Sequence, residues 1–333
     1  MKPLVCALLV VGALLGTGAA AFAQEEAAGD NAQAGGRKYH FLRSGFQYGW
    51  MLQTNSFVDG SCDGEPIENF ASIRLEFGWQ TDGSEVWHHV YNYPAFGLGL
   101  NFADYANDEK LGSPTSLYGF FTWPVKRWKK LHWTVEAGFG LTDNWVAFDS
   151  QTNPCNVAIG AAQSVYIDVA TNLNYHLAPH WELIGGFTGT HYSNGGSKQP
   201  NYGLNQVGPI LYVSYNFEKD RPLVPRMTIP RYEPNWEISV AGAFGPKNVA
   251  VNLNNDDLKE VYENVTFGVL NLNGTLARQL GWMAKPNVGL DVTYQRATDA
   301  ELDASDDEVD LDELEWSERL SLGVFVGYEQ VVE

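Results

Sequence analysis

A histidine and a serine two residues apart, His191 and Ser193, stand in the stretch Thr188-Gly-Thr-His191-Tyr-Ser193-Asn194-Gly195-Gly196-Ser-Lys-Gln-Pro200-Asn201-Tyr-Gly203-Leu-Asn205. On a β-strand, residues i and i+2 share a face, within reach of one hydrogen bond. An imidazole so placed can take the serine proton as general base, and the freed oxygen can attack an ester carbonyl. Asn205, at the start of the next strand, is placed to orient the imidazole, the third role of a triad. The turn between them, Asn194-Gly195-Gly196 and Pro200-Asn201-Tyr202-Gly203, offers backbone N–H groups and amides for an oxyanion hole. A His-x-Ser pair alone is a weak signal, since many such pairs merely end a strand; its surroundings have to decide.

Those surroundings are strands. Phe46, Tyr48, Trp50 and Leu52 alternate with Gly45, Gln47, Gly49 and Gln53. Leu131, Trp133, Val135, Ala137, Phe139 and Leu141 oppose His132, Thr134, Glu136, Gly138 and Gly140 in the same way. Val165, Ile167, Val169, Leu173 and Tyr175 oppose Asp168, Asn172, Asn174 and His176, and Leu320 to Tyr328 repeats the pattern. Period two is the strand signal. The second face stays small or polar over about ten residues, which suits a transmembrane barrel with lipid outside and a polar lumen. The expected class is all-β, an antiparallel outer-membrane β-barrel of about twelve strands.

The strands are expected near 43–53, 68–79, 94–105, 115–125, 131–142, 162–177, 180–191, 206–218, 235–245, 262–277, 286–295 and 317–331. With a periplasmic N-terminus, the long polar connections 54–67, 106–114, 143–161, 192–205, 246–261 and 296–316 fall on the outer side. Trp79, Trp87, Trp123, Trp128, Trp133, Trp181, Trp236 and Trp282 lie beside the periplasmic turns, as an aromatic girdle would. In the seventh strand Trp181, Leu183, Phe187, His191 and Ser193 share one parity. The apolar parity faces lipid, so His191 and Ser193 point outward where the strand meets the outer leaflet. Asn205 shares the lipid-facing parity of Val207, Leu211 and Val213. Polar groups set against acyl chains are costly without a reason, which raises the pair above chance.

Composition fixes the compartment. Residues 1–23, with Lys2, an apolar run from Leu4 and the small-residue end Ala21-Phe22-Ala23, read as a secretory signal peptide. Residues 24–38 read as a flexible leader. Cys62 and Cys155 remain in the mature chain; both fall in outer loops of an oxidising compartment, where a disulfide can form. A formal charge of −19 argues against nucleic acid as partner. The acidic stretch Asp299–Glu315 lacks the central glycine and ligand spacing of an EF-hand and reads as a solvated loop.

The segment His191-Tyr-Ser-Asn194 followed by Lys198-Gln-Pro-Asn201-x-Gly203 resembles the lipid A 3-O-deacylases, the acyloxyacyl hydrolases of bacterial outer membranes. Thr152-Asn-Pro-Cys-Asn156-Val-Ala-Ile159-Gly160 looks like part of a longer branch of the same family. The resemblance covers the region 39–218. It implies an esterase that removes the 3-position acyl chain of lipid A in lipopolysaccharide, without metal or cofactor. Ser193 would be nucleophile, His191 base, and Asn194, Gly196 and Asn201 the oxyanion-hole candidates. Two departures stand out. Family members carry Glu where this chain has Asn205, which can hold a histidine tautomer but cannot stabilise an imidazolium by charge. Compact members also close at eight strands, whereas residues 219–333 add about four more, in the same barrel or appended to it.

Two other functions fit parts of the pattern. Outer-membrane phospholipases A use a similar His-x-Ser-Asn-Gly with Asn as third member, depend on calcium and lack the Lys-Gln-Pro-Asn continuation. A non-catalytic pore would use the lumen-side acids Glu136, Asp168 and Glu182, although a plugged, satisfied interior fits them better.

Overall fold

Strict alternation folds into a wall with two unlike faces. The computed structural model describes residues 39–218, 225–251, 255–262, 265–309 and 314–331. The expected signal peptide and leader, and residues 310–313 of the acidic stretch, lie outside the described residues.

Eight antiparallel strands, β1 (Tyr39–Met51), β2 (Asn69–Gln80), β3 (Ala95–Asp104), β4 (Gly112–Arg127), β5 (Leu131–Trp145), β6 (Ser164–Ala178), β7 (Trp181–Ser193) and β8 (Leu204–Asn216), form a closed barrel. β1 pairs with β8 from Phe41 opposite Asn216 to Met51 opposite Gln206. That pairing consumes both edges, so no further strand can join this sheet. Phe46, Trp50, Ile73, Leu98, Leu117, Phe139, Val169 and Leu211 stand exposed on the outer wall. A continuous apolar exterior on a closed sheet is what a bilayer stabilises, since lipid offers no partner to an open strand edge.

The lumen is filled rather than open. Arg43 pairs with Glu76 and, at 2.7 Å, with Glu136. Arg74 pairs with Asp168 at 2.9 Å, and the Thr188 and Thr190 hydroxyls donate to the same carboxylate at 2.7 and 2.6 Å. Tyr118 stacks on Tyr166 with centroids 4.7 Å apart, and Tyr166 meets Tyr192 edge-on at 5.6 Å. Buried charges survive in such an interior only when paired and hydrogen-bonded. Glu136 and Asp168 are therefore paired within the filled part of the lumen.

The remaining four strands, β9 (Asn235–Lys247), β10 (Phe267–Gln279), β11 (Ala284–Gln295) and β12 (Leu320–Gln330), form a separate sheet in the order β12-β11-β10-β9. Register places Val240, Gly274, Leu290 and Val324 in one row across it. Ile238, Val240, Phe244, Leu272, Leu290 and Val324 make one apolar, exposed face. The opposite face carries Asn273 and Asp291, which are hydrogen-bonded to each other at 2.8 Å. Among the described residues twelve strands are present, divided eight and four. Three short helices among them were not anticipated: α1 (Val86–Val90) in the β2–β3 connection, α2 (Asp256–Tyr262) after β9, and α3 (Thr298–Asp306) after β11. The acidic stretch is thus helical over its first turns, and Asp299 is held by Arg319 at 2.6 Å.

Candidate active site

β7 and β8 pair so that His191 lies directly opposite Asn205. Tyr192 between them is fully buried in the lumen, while His191 and Ser193 are partly exposed on the outer face. The period of the strand therefore separates packing from chemistry: one parity fills the barrel, the other presents the imidazole and hydroxyl. On the neighbouring strand β6, Val165 lies opposite Ser193 and Ile167 opposite His191. Ile167 and Val169 are exposed, so apolar surface runs down the wall from the site.

The His191 Nδ1–Asn205 Oδ1 distance is 2.8 Å. An amide oxygen only accepts, so Nδ1 carries the hydrogen and Nε2 keeps its lone pair, the tautomer a general base needs. The Asn205 Nδ2 donates to Thr54 Oγ1 at 3.2 Å, and the Asn205 carbonyl accepts from Leu52 N at 2.8 Å. Thr54 thereby joins the site as a second hold on the Asn205 amide. It was missed in the sequence because it lies 151 residues before Asn205, just after β1, and only barrel closure brings the two together.

Ser193 Oγ accepts from Gly195 N at 3.1 Å and from Asn201 Nδ2 at 2.9 Å. With both lone-pair directions engaged, the hydroxyl hydrogen is left to be donated. Asn201 Oδ1 accepts from Asn194 N at 3.0 Å, which fixes its amide orientation. Of the three expected oxyanion candidates, Asn201 thus reaches Ser193 Oγ directly. Asn194 is engaged within the turn instead: its Nδ2 donates to Lys198 O at 2.7 Å and its Oδ1 accepts from Gly196 N at 2.9 Å. Gly195, one of the turn residues expected to offer a backbone N–H, supplies the second donor at Ser193 Oγ.

The turn rests on loops from elsewhere. Tyr202 N donates to Val157 O at 3.1 Å and Gly203 N to Ala158 O at 3.0 Å, while Asn55 Nδ2 donates to Gly203 O at 3.0 Å. The 152–160 stretch noticed in the sequence is therefore the bed of the 194–203 turn. It is clamped to the β1–β2 loop by the Cys62–Cys155 disulfide, with Cα atoms 5.7 Å apart. Lys110 adds ion pairs to Asp63 at 2.8 Å and Glu65 at 2.6 Å. The hydrogen bond from Lys110 holds the Asp63 carboxyl below its ordinary range. Gly203 has φ +74°, and a Cβ there would lie 2.9 Å from His191 Cε1. Only glycine lets the backbone pass under the imidazole in that conformation.

A cavity of about 520 Å³ opens near the opposite end of the barrel, lined among others by Arg43, His132, His176 and Glu182. Among the described residues, no group of three or more His, Cys, Asp or Glu side chains is arranged to hold a metal ion.

The family described as lipid A 3-O-deacylase (PagL) matches residues 71–216, from β2 to the end of β8. The barrel is similar to that family over this range. Its exposed apolar wall and its similarity to the PagL family place it in the outer membrane. Residues 219–333, with the four-stranded sheet, lie outside the match. Among solved structures, Neisserial surface protein A is similar at 10% identity and a TM-score of 0.37, covering 55% of this chain and 100% of that one. The outer membrane enzyme PagL is similar at 16% identity and a TM-score of 0.36, covering 52% of this chain and 97% of that one. The N-terminal β-barrel domain of Pseudomonas aeruginosa OprF is similar at 11% identity and a TM-score of 0.31, covering 55% and 99%. No curated protein matches the chain.

Proposed function

We propose that the chain is a serine esterase that removes the 3-position acyl chain of lipid A at the outer leaflet, with Ser193 as nucleophile and His191 as base. The observation that carries the reading is the oriented pair: His191 Nδ1 bound to Asn205 Oδ1 at 2.8 Å, on the same lipid-facing strand parity as Ser193. The PagL family match supports the substrate class.

In this reaction lipid A approaches laterally, with its acyl chains against the wall formed by Ile167, Val169 and Phe187. Ser193 Oγ attacks the ester carbonyl as its proton passes to His191 Nε2. The carbonyl oxygen becomes an oxyanion beside Gly195 N–H and Asn201 Nδ2, the donors already gathered at Ser193 Oγ. Such preset donors are worth about 3–4 kcal/mol each in serine hydrolases. Collapse breaks the ester bond, and His191 returns the proton to the departing sugar hydroxyl. Water then attacks the acyl-serine, His191 again taking and returning one proton, and the fatty acid leaves. Asn205 holds the tautomer throughout but adds no negative charge against the imidazolium, so this triad works on orientation alone.

The test is incubation of the purified protein with defined lipid A in detergent, with products followed by mass spectrometry. Loss of one 3-hydroxyacyl chain is expected. Because Asn205 matches the third member of the phospholipase A pattern, phosphatidylethanolamine with and without calcium belongs in the same experiment. Calcium-dependent fatty-acid release from it, with lipid A untouched, would replace the deacylase reading.

A further inference from the structure

The second sheet touches the catalytic turn through one buried side chain. Asn248 follows β9, lies outside the PagL-matched region and is 7% exposed. Its backbone N–H donates to Gly196 O at 3.2 Å, and its Oδ1 accepts from Gln199 N at 3.1 Å. Its Nδ2 donates to Val265 O, just before β10. A backbone N–H can only donate and a carbonyl only accept, so the amide has one satisfied orientation and no flipped alternative. Asn248 is thus bound on one side to its own sheet and on the other to the turn that carries Asn194, Gly195 and Asn201.

Other supports of that turn come from within the barrel. Val157 and Ala158 hold Tyr202 and Gly203, and Asn55 holds the Gly203 carbonyl. At the tip, Asn248 supplies hydrogen bonds to Gly196 and Gln199, while the backbone of Gly160 passes close to Lys198, Gln199 and Pro200. Gly195 and Gly196 have φ +67° and +79°, conformations open to glycine's full backbone freedom. A two-glycine tip loses its donor geometry readily unless something pins it, and an error of about 1 Å in a catalytic donor costs on the order of 100-fold in rate.

We propose that Asn248 is a positioning residue that ties the four-stranded sheet to the catalytic turn and fixes the Gly195–Gly196 tip in its oxyanion-binding shape. This rests on the esterase reading of Ser193 and extends it: the part of the chain outside the family match sets the shape of the site inside it. Asn248 touches neither substrate nor reacting atoms; it acts through Gly196 and Gln199.

The experiment compares Asn248→Ala and Asn248→Asp in the full-length chain. Asp keeps the Oδ1 acceptor for Gln199 N and the backbone donor to Gly196 O, whereas Ala keeps only the latter. Asn248→Ala should lower kcat on lipid A about 10-fold with KM changed less than about 2-fold, and Asn248→Asp should recover most of the loss. Hydrogen exchange followed by mass spectrometry gives a readout independent of turnover. Exchange at the Gln199 amide should quicken in Asn248→Ala, while Tyr202 and Gly203, held by Val157 and Ala158, stay protected. Unchanged kcat or unchanged Gln199 protection in Asn248→Ala overturns the proposal, as does an Asp variant as impaired as the Ala variant. An inactive wild type would overturn the esterase reading instead, and the exchange result would still decide whether Asn248 holds the turn.

Discussion

His191 Nδ1 and Asn205 Oδ1 are 2.8 Å apart on directly paired residues of β7 and β8, so an amide stands where the PagL-like motif would lead one to expect a carboxylate. The pairing dictates a tautomer without supplying charge. Asn205→Ala should therefore lower kcat by about 100-fold or more, because the ring loses its orienting acceptor. Asn205→Asp, which keeps an acceptor and adds charge, should retain or raise kcat. Steady-state hydrolysis of defined lipid A by the two variants checks both outcomes.

The Cys62–Cys155 bond closes a loop of 93 residues in sequence separation and clamps the bed of the catalytic turn. A cross-link of that span stabilises by about 2–4 kcal/mol through the unfolded chain. Cys62→Ser/Cys155→Ser should lower the thermal unfolding midpoint and reduce activity, since Val157 and Ala158 then hold Tyr202 and Gly203 less firmly. The barrel strands should keep their circular-dichroism signal at room temperature, because none of their pairings depends on the loops.

Arg43 lies between Glu76 and Glu136 in the lumen, 3% exposed. Arg43→Met removes the cation and leaves two carboxylates facing each other, which should destabilise by about 3–5 kcal/mol. Urea unfolding in detergent micelles measures it. Adding Glu76→Gln and Glu136→Gln to Arg43→Met should recover part of the loss, because the uncompensated charge is then gone.

His88, in α1 of the β2–β3 connection, is buried, and burial pushes its imidazole down to about 4 against the opposing pull of Asp82 at 3.5 Å. Its Nδ1 accepts from Gly83 N at 3.2 Å and Glu85 N at 3.3 Å, bonds that need the neutral ring. The sign follows: below about pH 6.5 the unfolded chain binds a proton that the folded one refuses. The stabilisation is whole above that pH and declines by up to about 1.4 kcal/mol per pH unit as pH falls toward 4. Unfolding of wild type and His88→Asn across pH 4 to 7 should show that slope shrinking in the variant.

Strand order and lumen chemistry were legible because period two is a direct imprint of a wall with lipid on one side. Parity alone put His191, Ser193 and Asn205 on the outer face, where the structure has them. The division into eight and four strands was not legible from periodicity, because β9 to β12 alternate as cleanly as β1 to β8. Closure depends on which edges meet, and the Phe41–Asn216 pairing joins residues from opposite ends of the barrel. The helices α1, α2 and α3 were missed because each is a short insertion between strands, too brief for a helical period to emerge. Thr54 and Asn248 were missed for another reason: each acts through a contact made by folding, a hydroxyl or an amide from a distant segment, and no motif records it.

The central claim is that Ser193 is the nucleophile of a lipid A esterase. The most direct measurement is mass spectrometry of lipid A after incubation with wild-type protein and with Ser193→Ala, both checked for the heat-modifiable gel mobility of a folded barrel. Wild type should release one 3-hydroxy fatty acid, and Ser193→Ala should lose at least about 1,000-fold of that activity. A folded Ser193→Ala protein that deacylates lipid A at the wild-type rate would contradict the account.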